Sequence, residues 1–126
     1  MTTIEFKEAS SDERRTIYGN SELLANKKEI SFIKLKAGKA IGGCVHSCDE
    51  YFIVWEGQVK VITKSLGQKY THTYTQGQGG IFPRGVAHLM IGDSDCLISE
   101  WGVSELEKKE NKKNEDLLNL MRAING

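Results

Sequence analysis

Cysteine, histidine and glutamate crowd into thirteen residues of this chain, Gly38-Lys-Ala-Ile-Gly-Gly-Cys44-Val-His46-Ser-Cys-Asp-Glu50. In an extended strand, residues two apart face the same way about 6 to 7 Å from each other, so Cys44 and His46 project onto one face and can reach a shared ion. Glu50 follows a short polar turn, Ser47-Cys48-Asp49, where its carboxylate can swing toward the same point. A second stretch, Pro83-Arg-Gly85-Val-Ala-His88, places one more imidazole at the start of an apolar strand, just after a Pro/Gly turn. Thiol, imidazole and carboxylate are the donor types that hold divalent transition metals.

The elements that must position these groups read as β-structure. Thirteen glycines and one proline separate short β-branched and aromatic runs. Strands are predicted over 29–36, 44–47, 51–56, 58–64, 69–76, 80–82, 87–92 and 95–102, with breaks at Ala37-Gly38, Gly42-Gly43, Glu56-Gly57, Ser65-Leu66-Gly67 and 77–79. Such spacing suits a sandwich or barrel. Residues 17–24 are too mixed for more than an irregular or short-stranded segment. After Gly102 the composition turns polar, and 103–116 reads as a solvated helix or linker. Ser104 and Glu107 have the spacing of a capping box, and Asn114 can start a turn of helix. Leu117, Leu118, Met121 and Ile124 then recur at helical spacing, as a lid on the core or a subunit contact. The expected division is an amino-terminal segment over 1–28, a barrel over 29–102, and a polar linker with a carboxyl-terminal helix over 103–126.

Composition narrows the partners. Within 126 residues, seventeen Lys and Arg balance seventeen Asp and Glu, so no basic footprint recommends nucleic acid or an anionic membrane surface. No apolar run approaches the roughly 18 residues needed to span a bilayer. The leading MTTIEFKEASSDERR lacks the basic-then-apolar pattern of a secretory signal, which makes the cytoplasm the expected compartment. Three cysteines, Cys44, Cys48 and Cys96, are too few for a disulfide framework and fit a reducing environment.

The two stretches together resemble the cupin superfamily of small jelly-roll barrels. Its first motif runs Gly, five residues, His, one residue, His, three or four residues, Glu, six residues, Gly. Gly38, His46, Glu50 and Gly57 fall in register, with Cys44 where the first His is expected. The second runs Gly, five residues, Pro, one residue, Gly, two residues, His, three residues, Asn. Gly77, Pro83, Gly85 and His88 match, and Gly92 replaces the Asn. Eight of ten motif positions agree. The resemblance implies an all-β double-stranded β-helix with a short carboxyl-terminal helical segment. It also implies one divalent ion (Fe, Mn, Ni or Zn) held by Cys44, His46, Glu50 and His88. His46, Glu50 and His88 alone are a two-histidine, one-carboxylate set of the non-haem iron kind. A thiolate at Cys44 shifts the preference toward zinc, iron or another softer ion and adds sensitivity to oxidation. Each residue also has a plainer reading: His46 and His88 as a satisfied polar pair, Glu50 as a surface carboxylate, Cys44 as a small apolar filler.

Other groups are candidates for the lumen. Alternation puts Tyr70, His72 and Tyr74 on one face of their strand and Thr71, Thr73 and Thr75 on the other, without saying which faces in. Ile98 and Glu100 share a face, so Glu100 is either a second carboxylate near the site or a surface residue. Tyr51, beside Glu50, either orients a substrate or belongs to the barrel wall. Arg14, Arg15 and Arg84 are anion contacts or solvated surface. Cys48 reads as a turn residue, and Cys96 as a buried small hydrophobe. Fold alone does not select a reaction. The resemblance implies a metal-dependent enzyme on a small polar or carbohydrate-like molecule, of isomerase or epimerase type, with Glu50, Tyr51 and Glu100 as candidate catalytic residues. Its alternatives are a non-haem iron dioxygenase and a non-catalytic metabolite-binding module with a decayed ion site. Cupins commonly pair, so a homodimer is implied, with the Leu117 to Ile124 stripe as one candidate surface.

Overall fold

The computed structural model describes residues 7–19, 28–103 and 111–126. Among these residues, eleven strands and one helix follow in the order β1 (Lys7–Ser11), β2 (Arg15–Gly19), β3 (Lys28–Leu35), β4 (Ala40–His46), β5 (Glu50–Glu56), β6 (Gln58–Ser65), β7 (Gln68–Thr75), β8 (Gly79–Phe82), β9 (Ala87–Gly92), β10 (Cys96–Val103), β11 (Asn111–Lys113) and α1 (Glu115–Asn125). They build a six-stranded sheet, β1-β2-β3-β10-β5-β8, and a five-stranded sheet, β11-β4-β9-β6-β7. All pairings are antiparallel.

Both sheets turn an apolar face to one core. Ile33, Leu35, Phe52, Val54, Phe82 and Ile98 enter it from the six-stranded side, and Ile41, Val59, Val61 and Met90 from the other. Strand β5 shows the period of two plainly: Glu50, Phe52 and Val54 are buried, whereas Tyr51 and Trp55 are exposed on the outer face. Tyr74 meets the Phe52 ring edge-on at 4.9 Å, which makes the Tyr70, His72, Tyr74 face of β7 the inward one.

The five-stranded sheet has a second apolar layer behind it. Ala40, Ala87 and Leu89 point outward and are covered by Leu117 of α1, with Leu120, Met121 and Ile124 around them. The carboxyl-terminal stripe is therefore spent as a lid within the chain. Asn114 caps the helix, its side chain accepting from the Leu117 amide at 3.1 Å, with Glu115 and Asp116 in the first turn. At the far end the Asn125 side chain accepts from the Ala40 amide (2.7 Å) and donates to the Ala40 carbonyl (2.9 Å).

Several expectations need correction. Residues 111–113, read as solvated helix or linker, form a strand on β4, and helix begins only at Glu115. Gly42-Gly43, read as a break, lies inside β4 as a bulge. Residues 17–19 of the irregular stretch belong to strand β2, while 20–24 and the Ser104/Glu107 capping box lie outside the described residues. Cys48 sits in the expected turn but is buried, and Cys96 is a buried thiol whose pKa burial raises. None of the three cysteines is in a disulfide. No helix among the described residues is long and apolar enough to cross a membrane.

Candidate metal centre

The bulge in β4 decides which way the ligands face. Ala40 points out to the helix and Ile41 into the core, as alternation requires. One extra residue at Gly42-Gly43 then resets the parity: Val45 faces the helix layer, while Cys44 and His46 turn inward. Both glycines have positive φ, +109° and +85°. A Cβ on Gly42 would lie 2.9 Å from the His88 carbonyl oxygen, and one on Gly43 2.8 Å from Leu118 Cδ2. Only glycine lets the bulge form while β9 and the helix approach this closely.

His46 leaves the end of β4, Glu50 starts β5, and His88 sits second in β9, opposite Cys44. The turn at 47–49 thus spans the two sheets and brings their ligands together. Oε2 of Glu50 lies 3.3 Å from Nε2 of His46 and 3.7 Å from Nε2 of His88. One ligand atom from each of the three residues lies within 4.8 Å of the other two. The carboxylate and the His88 ring are each 5% exposed and the His46 ring 14%, so charge here is shielded from solvent. Phe82 stacks flat on His88 at 3.9 Å and 3°, with Phe52 stacked on Phe82 in turn, which fixes the ring plane of His88. The two imidazole centroids are 4.9 Å apart.

These donors suit a divalent ion. Bonds of about 2.1 Å meeting at about 90 to 110° put donor atoms about 3.0 to 3.5 Å apart, close to the two distances seen. His46 Nδ1 hydrogen-bonds the Asn111 side-chain oxygen. An amide oxygen only accepts, so Nδ1 donates to it, and in the neutral ring Nε2 then turns a lone pair toward the Glu50 carboxylate. Two such acceptors face each other comfortably only across a second proton or a shared cation.

The remaining candidates are placed differently. Cys44 faces inward beside His88, but its sulfur is not in the group of atoms within 4.8 Å. Tyr51 is turned away: as the neighbour of Glu50 in an extended strand it lies on the outer face, stacked on Trp101 at 5.7 Å. Glu100 is half-buried on the inward face, in register with Phe52, and outside the cluster. Arg14 and Arg15 are engaged by Asp12, at 2.8 and 3.3 Å. The Arg84 amide donates to Asp49, and its side chain helps line a cleft of about 270 Å³ beside His46, with Val45, Ser47, Gly85 and Lys112. Asn111 has no counterpart among the residues singled out from sequence. Nothing in a run of Glu, Lys and Asn marks it; only the pairing of β11 with β4, which sets Asn111 opposite His46, does so.

Neither a family model nor a curated protein matches the sequence. Solved structures do. Hazelnut (Corylus avellana) vicilin superposes with a TM-score of 0.71 at 15% identity over 86% of this chain and 34% of its own. A Bacillus subtilis oxalate decarboxylase, whose Mn(II) centres were studied, reaches 0.73 at 16% identity over 89% of this chain and 31% of its own. Vicilin from Solanum melongena, described with different anionic ligands in structurally similar pockets, gives 0.70 at 12% identity over 86% of this chain and 32% of its own. The chain thus spans about a third of the length of these proteins. Two facing antiparallel sheets, shared across such distant sequences, are the double-stranded β-helix of the cupins, and this chain has the cupin fold.

Proposed function

We propose that the protein holds one divalent ion, from the set Fe, Mn, Ni and Zn, through His46 Nε2, the Glu50 carboxylate and His88 Nε2, and uses it as a metal-dependent enzyme on a small polar molecule. The observation that carries this reading is the buried Glu50 carboxylate facing two imidazole nitrogens at 3.3 and 3.7 Å, a donor set spaced to share one cation. When bound, the ion would polarise a carbonyl or hydroxyl of the substrate. A cleft lined by His46, Arg84 and Lys112 lies at this end of the barrel. Phe52, Phe82 and Met90 fill the barrel beneath the site and exclude water from it. Glu50 is occupied as a ligand, so proton transfer falls to Glu100, a second carboxylate on the inward face of the six-stranded sheet. Tyr51 has no part in this chemistry. The sulfur of Cys44 stands beside the donor set, as a neighbour open to oxidation.

Proton transfer of this kind is the chemistry of an isomerase or epimerase of a carbohydrate-like molecule. The two-histidine, one-carboxylate set also favours a second reading, a non-haem iron dioxygenase, because it leaves positions open for oxygen and substrate. With candidate sugars and hydroxy acids, exchange of a carbon-bound hydrogen with deuterated water, lost in Glu100→Gln while metal is kept, is the expected result. Oxygen consumption by the ferrous protein without such exchange would replace the first reading by the second. Ligand binding that survives chelation, with no turnover, would leave a metal-free binding module. The reading includes pairing of two copies through the outer face of the six-stranded sheet, where Tyr51, Trp55 and Ile81 stay exposed.

A further inference from the structure

We infer that Asn111 is the positioning residue of the ion site: it holds His46 in the tautomer that presents Nε2, and the carboxyl-terminal segment exists in part to deliver it. This rests on the ion site proposed above. His46 ends β4 and is followed directly by a turn; Glu50 meets its ring on the Nε2 side, the His88 ring lies 4.9 Å away, and among the described residues Nδ1 meets the Asn111 side-chain oxygen. The orienting oxygen comes from sixty-five residues further along, on a three-residue strand paired to β4 with Asn111 opposite His46 and Lys113 opposite Cys44. A histidine ligand whose second nitrogen donates to an oxygen is fixed in ring plane and tautomer before any ion arrives, which raises affinity without adding a ligand.

Strand β11 is too short to hold itself, and the contacts around it show how it is held. The Asn114 amide donates to the Gly43 carbonyl at 2.9 Å, pinning the junction of strand and helix onto the bulge. Leu118 covers Gly43 from outside, Leu117 is fully buried against the sheet, and Asn125 grips Ala40. Lys64 of β6 pairs with Asp116 at the helix start. The helix is therefore clamped to β4 along its length, and β11 is carried into register as part of the same unit. The bulge that turns His46 inward is thus also where the segment supplying its partner is anchored.

The test uses the full chain with Zn(II) as probe and nitrogen-15 spectra of the His46 ring. In metal-free wild type at alkaline pH, where the ring carries one proton, that proton is expected on Nδ1. Asn111→Ala should lose this preference and bind Zn(II) about 10- to 100-fold more weakly, whereas Asn111→Asp, which keeps an accepting oxygen, should retain both. A wild-type ring protonated on Nε2, or Zn(II) affinity unchanged in Asn111→Ala, would overturn the inference. So would equal losses in Asn111→Asp and Asn111→Ala, which would reduce Asn111 to a structural part of β11. If wild type takes up no Zn(II) while the tautomer still follows Asn111, the ion reading fails and the positioning role stands.

Discussion

The two sheets divide the work unequally. The five-stranded sheet supplies both histidines, breaks the regular alternation with a two-glycine bulge and is covered behind by α1. The six-stranded sheet supplies the carboxylate from the first residue of a regular strand and leaves Tyr51, Trp55 and Ile81 exposed on its outer face. One wall is clamped from both sides; among the described residues, no second layer covers the other. The lesson is that a cluster of His and Glu side chains can be split between a wall covered by its own chain and a wall that leaves aromatic side chains exposed.

The largest effect should separate the walls directly. Leu117→Ala, which empties a fully buried position between α1 and the covered sheet, is expected to cost about 2 to 5 kcal/mol in thermal or denaturant unfolding. On the six-stranded wall, Trp55→Ala removes a half-exposed ring and its hydrogen bond to Ser99, and should cost about 1 kcal/mol while lowering the mass measured by light scattering. Similar losses at both positions would erase the contrast. Next comes the bulge. Gly42→Ala forces a Cβ against the His88 carbonyl at a φ that disfavours side chains, and should cost about 1 to 3 kcal/mol together with a loss of metal affinity. Stability lost with metal affinity unchanged would detach the bulge from the site.

The smallest effect lies at the edge of the six-stranded wall, where Arg14, hydrogen-bonded to Asp12, holds its carboxyl well below the usual carboxylate range. The contribution of a carboxylate depressed in the folded state is present above its unfolded pKa and disappears as pH falls through the folded value. Asp12→Asn should therefore be less stable than wild type at neutral pH, by under about 1 kcal/mol for so exposed a pair, and equal to it in strong acid. A gap that persists into strong acid would assign the effect to something other than this carboxylate.

What the sequence disclosed follows the same division. The period of two in Glu50 to Glu56 is legible, and applied strictly it turns Tyr51 away from Glu50 and onto the barrel wall. Gly38, Gly57, Gly77, Pro83 and Gly85 mark turns, and the spacing of His46, Glu50 and His88 between them located the cluster. The covered wall was harder. An inserted residue reverses the parity of everything after it, and Gly42-Gly43 looks the same as a turn until β9 shows where pairing resumes at Cys44. Asn111 lay in a stretch whose composition says only solvent, because a three-residue strand has too few side chains to show a period, and its place is fixed by the helix that follows. Asn114 was recognisable, since a cap is a local interaction, while the partner of His46 is not.

The central claim is that His46, Glu50 and His88 hold an ion. Elemental analysis of protein purified without an affinity tag or chelator, beside the His88→Ala variant, tests it most directly. About one equivalent of iron, manganese, nickel or zinc in wild type, lost in the variant, is the predicted result. No metal in wild type and none taken up on dialysis, or the same metal content in His88→Ala, would contradict it.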